Sequence, residues 1–212
     1  MLDASLFHSP FKGHEAGDHP NAAGKIGVRL SAARCASVLL LGSWVGNGPT
    51  LEDAVSQAVG AAAPERPGTT CATPLGLLMR IAPEEFLLVG DAAANRVATL
   101  RHRVTADLGS VTDLSHARCR IHIEGENCLD TLSKLFALDL RENTFPLNEI
   151  RLSGHHHVPC VLHRRGLAEF DLYVFSSYAH DQLETLKDAA LEFGVRLDFQ
   201  DSQVRHFRHA SP

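Results

Sequence analysis

Residues 111–125, VTDLSHARCRIHIEG, decide how this chain is read. An acidic turn containing Asp113, Ser115 and His116 runs into a stretch whose positions Ala117, Cys119, Ile121 and Ile123 are apolar. Alternation of period two marks a strand with one dry face. The stretch 117–124 is therefore expected to cover a core and to turn Arg118, Arg120, His122 and Glu124 toward water or a partner. It also opens the second half of an internal repeat.

The repeat shows best in two hairpins. Leu75 to Ile81 and Phe86 to Val89 flank Ala82-Pro83-Glu84-Glu85, and 158–164 with 169–175 make the second pair. Laying Glu85-Phe86-Leu87-Leu88 over Glu169-Phe170-Asp171-Leu172 brings Arg80 onto Arg164. Before the first hairpin, Ser37 to Trp44 reads as a buried strand, and Thr50 with Asp53 as a capping-box start. The helix that follows buries Leu51, Ala54, Val55, Ala58 and Val59. Ala61 to Gly68 is a loop. Asp91 is placed to cap a helix burying Ala93, Val97, Leu100, Val104 and Leu108 and ending at Gly109.

In the second half a helix near 128–137 buries Leu129, Leu132 and Phe136, with loop and strand over 138–153. A last helix buries Ala179, Leu183, Leu186, Ala190 and Phe193, stops at Gly194 and leads to the strand Val195 to Phe199. Each half thus has the order of a split β-α-β unit. The expected class is α+β, with two similar βαββα(β) halves, mainly antiparallel sheets and helices on one face. The expected divisions are an extended arm at 1–25, a first half at 26–110, a second half at 111–200 and a basic tail at 201–212.

Composition bounds the function. With 44% hydrophobic and 21% charged residues, 212 residues suffice for a real core. A net charge of −5 gives no basic field for nucleic acid, although Arg205, His206, Arg208 and His209 make a local cationic tail. Five cysteines without a CxxC pair signal neither a disulfide framework nor a zinc ribbon. The apolar run Val38 to Val45 is interrupted by Gly42 and too short to span a bilayer, and the start at Met1 shows no export signal. A cytoplasmic location is the expectation from these features.

The candidate chemistry is sparse. Asp113, Ser115 and His116 hold the three residue types of a hydrolase triad, but a triad converges from separate elements and the G-x-S-x-G elbow is missing, so a Ser- and Asp-stabilised turn is expected. In an extended chain His155 and His157 share a face, with His163 further on, so one side would present three imidazoles and Cys160 the other. No second cluster supplies the paired short spacings of a zinc site, and a polar loop and strand face is the simpler account. Gly42 to Gly48 lacks the G-x-G-x-x-G order, so neither a flavin nor a nicotinamide site is read in this chain. Trp44, the single tryptophan, ends a strand, and its burial decides between core and interface.

Four segments together resemble the gamma subunit family of heterotetrameric sarcosine oxidase: 81–90 (IAPEEFLLVG), 111–118 (VTDLSHAR), 162–166 (LHRRG) and 170–174 (FDLYV). The likeness runs from about residue 26 to residue 199. The DLSH turn, the strand ending in Gly125 and the Leu-rich helix also resemble, more remotely, the folate-binding glycine cleavage T-protein family. The resemblance implies a small architectural subunit of a flavoenzyme complex that oxidatively demethylates sarcosine or a related N-methyl amino acid. It implies no catalytic residue and no cofactor in this chain. FAD, FMN, NAD, zinc and tetrahydrofolate would belong to partners: a large folate- and nucleotide-binding subunit, a flavin-bearing beta subunit and a small zinc-binding delta subunit. Val158-Pro159 stands where the T-protein pattern has an acidic pair, and Ala137-Leu138-Asp139-Leu140 replaces its K-G-D or K-G-C loop. The rival reading, a stand-alone folate-binding one-carbon transfer protein, requires Arg118, Arg120, Arg164 and Arg165 to converge on a pocket sized for a pteridine and a glutamate tail.

Overall fold

In the computed structural model of the chain, residues 9–90, 94–155 and 157–200 are described. The expected Asp91 cap and the burial of Ala93, the cationic tail 201–212 and residues 1–8 of the arm lie outside them. The elements are β1 (Gly17–His19), β2 (Val28–Arg34), β3 (Ser37–Ser43), α1 (Gly48–Val59), β4 (Thr70–Thr73), β5 (Gly76–Ala82), β6 (Glu85–Gly90) and α2 (Ala94–Arg103). They continue with β7 (Gly109–Asp113), β8 (Arg118–Glu124), α3 (Cys128–Leu135), β9 (Ile150–His155), β10 (Val158–Gly166), β11 (Glu169–Phe175), α4 (Ala179–Ala190) and β12 (Val195–Gln200).

The strands form two sheets, in the orders β4-β5-β6-β3-β7 and β1-β12-β2-β8-β11-β10-β9. All pairings are antiparallel except β12 on β2, which fits the expected mainly antiparallel α+β class. Helices α1 and α2 cover one face of the five-stranded sheet over Leu39, Leu41, Leu78, Phe86 and Leu88. Helices α3 and α4 cover one face of the seven-stranded sheet, where Cys119, Ile121 and Ile123 are buried as their alternation predicts. The two uncovered faces meet each other through Cys35, Val38, Leu77, Met79, Leu87, Val89, Ile150, Val161 and Tyr173. The order is helices, sheet, sheet, helices.

This explains why β6 reads as a continuous apolar run. Phe86 and Leu88 point to helices while Leu87 and Val89 point to the other sheet, so neither face of the strand meets water. Each side chain of this kind contributes about 1.5–3 kcal/mol on burial.

Several expectations shift. Helix α1 starts at Gly48, before Thr50, because Pro49 in its first turn has φ preset for a helix, and Asn47 makes no side-chain cap. It closes at Gly60, whose φ of 71° is left-handed. Residues 111–113 belong to β7, and β2 joins the sheet built from the second half, so a boundary at residue 111 cuts across β7. Residues 9–25 are not free of the core: β1 pairs with β12, and Phe11 is buried between the seven-stranded sheet and its helices. Among the described residues, no helix is long and apolar enough to cross a membrane.

The hairpins of the two halves are built alike. Each carries a register shift at the equivalent place, Arg80/Ala82 and Arg164/Gly166. Arg80 lies over the Phe86 ring at 5.1 Å and Arg164 over the Phe170 ring at 5.4 Å. Arg80 Nη2 donates to the Pro83 carbonyl at 2.6 Å, and Arg164 Nη2 to the Leu167 carbonyl at 3.0 Å.

Candidate functional site

The polar side chains expected on the outer face of the 117–124 strand lie instead on the inner face of the seven-stranded sheet, which the second sheet only partly covers. Register sets them in cross-strand rows: His122 opposite Asp171 and Asp171 opposite His163, then Arg120 opposite Tyr173 and Tyr173 opposite Val161. Asp171 is the centre, with 0% of its surface exposed. A buried carboxylate needs partners, and it has three: His122 Nδ1 at 2.8 Å, Arg165 Nε at 3.6 Å and Arg120 Nε at 3.9 Å. Burial alone would raise the Asp171 carboxyl, but the His122 hydrogen bond and the charges of Arg120 and Arg165 hold it below the usual carboxylate range.

Burial pushes His163 down to about 4, so its imidazole is neutral. Burial and the Asp171 charge push the Tyr173 phenol well up. Burial also drives the thiol of Cys35, between the sheets, and that of Cys128, in the helix-covered core, to about 12, and that of Cys160, in the same core, to about 11, so these three are protonated at neutral pH. His122 is the member that meets the surface, with Nε2 3.7 Å from Glu124 and 3.8 Å from Glu169. It opens on a groove of about 620 Å³ lined by Arg29, Ser31, His122, Glu124, Arg196 and Asp198. Ion pairs run in and beside it: Arg29 lies 3.7 Å from Glu124, Arg165 3.2 Å from Glu169, and Arg196 holds Asp18 at 2.5 Å. Such a site positions strands and presents a mixed surface.

The four arginines named from sequence do not converge. Arg120 and Arg165 share Asp171, while Arg118 stacks on Phe175 with its guanidinium 3.8 Å from the ring centroid. Arg164 is on the opposite face, where it donates to the carbonyls of Gly166, Leu140, Phe145 and Leu167. The three histidines also separate. A turn with His157 at φ 65° divides β9 from β10, so His155 lies against Gln182 of α4, His157 is exposed and His163 faces the other sheet. Among the described residues no group of three or more His, Cys, Asp or Glu is arranged to hold a metal.

The triad-like turn is structural. Ser115 Oγ donates to Asp113 Oδ1 at 2.6 Å and accepts from the Val38 amide at 3.0 Å. His116 is turned toward Arg34, 3.4 Å away. Trp44 is half exposed with its indole on the Ala106 carbonyl. The residue that sequence reasoning missed is Asp171. Its signal was a lone carboxylate in the apolar run Phe170 to Val174, facing a strand rich in Arg and His.

Comparison with known proteins accords with this geometry. The model of the sarcosine oxidase, gamma subunit family matches residues 45–192. Sarcosine oxidase subunit gamma of Corynebacterium sp. (strain U-96) is 26% identical over 149 residues, 70% of this chain and 73% of that protein. The subunit gamma of Corynebacterium sp. (strain P-1) is 26% identical over 141 residues, 66% of this chain and 70% of that one. Among solved structures, a chain of heterotetrameric sarcosine oxidase from Corynebacterium sp. U-96 in complex with pyrrole 2-carboxylate superposes with TM-score 0.74 at 23% identity, covering 89% of this chain and 96% of that chain. Glycine cleavage system aminomethyltransferase T from Bartonella henselae superposes with TM-score 0.62 at 17% identity, covering 82% of this chain and 48% of that one, so the T-protein likeness is one of fold. With more than half of its length matched by the family, this chain belongs to the sarcosine oxidase gamma subunit family.

Proposed function

We propose that this chain is a structural subunit, without an active site of its own, of a cytoplasmic heterotetrameric flavoenzyme that oxidatively demethylates sarcosine or a related N-methyl amino acid. In this reading FAD, FMN, NAD, zinc and tetrahydrofolate are held by the other subunits. These are a large folate- and nucleotide-binding subunit, a flavin-bearing beta subunit and a small zinc-binding delta subunit. The link to one-carbon metabolism runs through the large subunit.

The observation that carries the reading is the family match across 45–192. The clamp on Asp171 supports it, because the most buried carboxylate is matched in charge by His122, Arg120 and Arg165, which lowers its basicity. The split of the four arginines between two faces of one sheet weighs against a stand-alone folate-binding transfer protein.

The test is to purify the chain alone and together with its partner subunits. Alone, it is expected to show no flavin absorbance and no sarcosine turnover; with partners it should co-purify in a complex that oxidises sarcosine. Turnover by the isolated chain, or tight tetrahydrofolate binding without partners, would overturn the proposal.

A further inference from the structure

At one end of the inner face, register places Arg118 opposite Phe175, in the row next to Arg120, Tyr173, Val161 and Leu152. The guanidinium is half-buried on the Phe175 ring. Among the described residues its Nε and Nη1, shut off from solvent, have no acceptor, and no carboxylate lies within ion-pair distance. Arg29, Arg120 and Arg165 on the same face all have carboxylates. Taking a guanidinium out of water without an anion costs free energy, so an arginine held this way marks a place completed from outside.

The place has a shape. Arg118, Leu152, Ser153, Pro159, Cys160 and Val161 line an open pocket of about 270 Å³, just beyond the cluster that joins the sheets at Val161 and Tyr173. Its lip is apolar and presented outward, with Leu152 55% exposed. It lies beside β9, the terminal strand of the sheet, whose only strand ladder among the described residues is with β10.

We propose that this pocket receives an Asp or Glu side chain from a partner polypeptide, with Arg118 pairing the carboxylate and Leu152 and Pro159 gripping an apolar neighbour of it. Charge complementarity selects the carboxylate, and the apolar lip selects a residue embedded in a polypeptide. The pocket is open and below the roughly 300–1,000 Å³ of sites that enclose small molecules. An extended segment lying along an edge strand, with a side chain in an adjoining pocket, is a recurrent recognition mode. The proposal rests on the reading of this chain as a subunit.

The experiment uses the co-expressed complex, with benzoylphenylalanine at Leu152 for photocrosslinking and with Arg118→Glu and Leu152→Asp variants. Expected are a crosslink to a partner peptide containing Asp or Glu, and at least a tenfold weaker hold of either variant on the complex. Leu152→Asp, at an exposed position, keeps the test decisive if Arg118→Glu does not fold. An intact wild-type complex with no crosslink at Leu152, or with both variants held within twofold of wild type, overturns the pocket and leaves the subunit reading standing. Absence of any wild-type complex overturns both. Glutarate, a free dicarboxylate with the chemistry of a Glu side chain, is the control: saturable binding to the isolated chain that Arg118→Glu abolishes, with no crosslink at Leu152 in the complex, assigns the pocket to small carboxylic acids and overturns the proposal.

Discussion

His163 shows how one side chain ties stability to pH. It stands opposite Asp171 between the two sheets, with both ring nitrogens buried and without hydrogen bonds. Its folded pKa of about 4 lies below the ordinary value of 6.5. Between those values the unfolded chain binds the proton and the folded chain does not, so stability rises with pH through that window and is lost as pH falls through it. The loss from this residue between pH 7.5 and pH 5 is about 2 kcal/mol. A His163→Leu variant should lose correspondingly less over the same interval, read as urea midpoints at the two pH values. His14, also held low by burial and by His180, is present in both proteins and cancels in the comparison. An unchanged pH dependence would mean that His163 charges freely in the folded state. The sequence placed His163 in a histidine cluster, but it did not disclose that the turn at His157 sends His155 and His163 to opposite faces. That separation depends on one left-handed residue between two strands, which period-two arguments cannot locate.

At the scale of elements, the paired hairpins were the most legible part of the chain. The alignment that set Arg80 on Arg164 is the alignment of the two bulges, and both guanidiniums close the same turn. Their surroundings differ, however. Arg164 is 2% exposed and satisfies four carbonyls without a carboxylate, whereas Arg80 shares Glu52 and sits nearer to solvent. A lysine cannot span that set of acceptors. Arg164→Lys is expected to cost about 3 kcal/mol by stranding buried carbonyls, and Arg80→Lys half of that or less, measured by denaturant unfolding of each variant. Equal losses would show that burial does not set the difference. The strands that escaped the sequence reading are β1, β2, β4 and β7. Strand β4 is four residues long, β7 is half hidden in the acidic turn, and Ala33 blurs the alternation of β2 by adding an apolar residue on the wrong face.

At the scale of the whole molecule, sheet-on-sheet packing was not legible, because the residues that join the sheets come from strands that are apolar on both faces or carry charge beside them. Tyr173 lies next to Asp171 in sequence and yet belongs to the inter-sheet cluster. The T-protein-like class was legible through segments, and the family confirms it through the fold. The parallel pairing of β12 on β2 has a further consequence, for the time course of synthesis. Every strand of the five-stranded sheet comes from residues 37–113, whereas β2 finds its two neighbours only after β8 and β12 have been made. Closing so long a loop is slow, and local units form first. Pulse-labelled hydrogen exchange during refolding should therefore protect amides of β3, β5 and β6 before those of β2 and β12, with the reverse order contradicting this. On the ribosome the early strand β2 must wait, unpaired on both edges, for most of the chain to emerge, and that interval is when this protein is most exposed to aggregation.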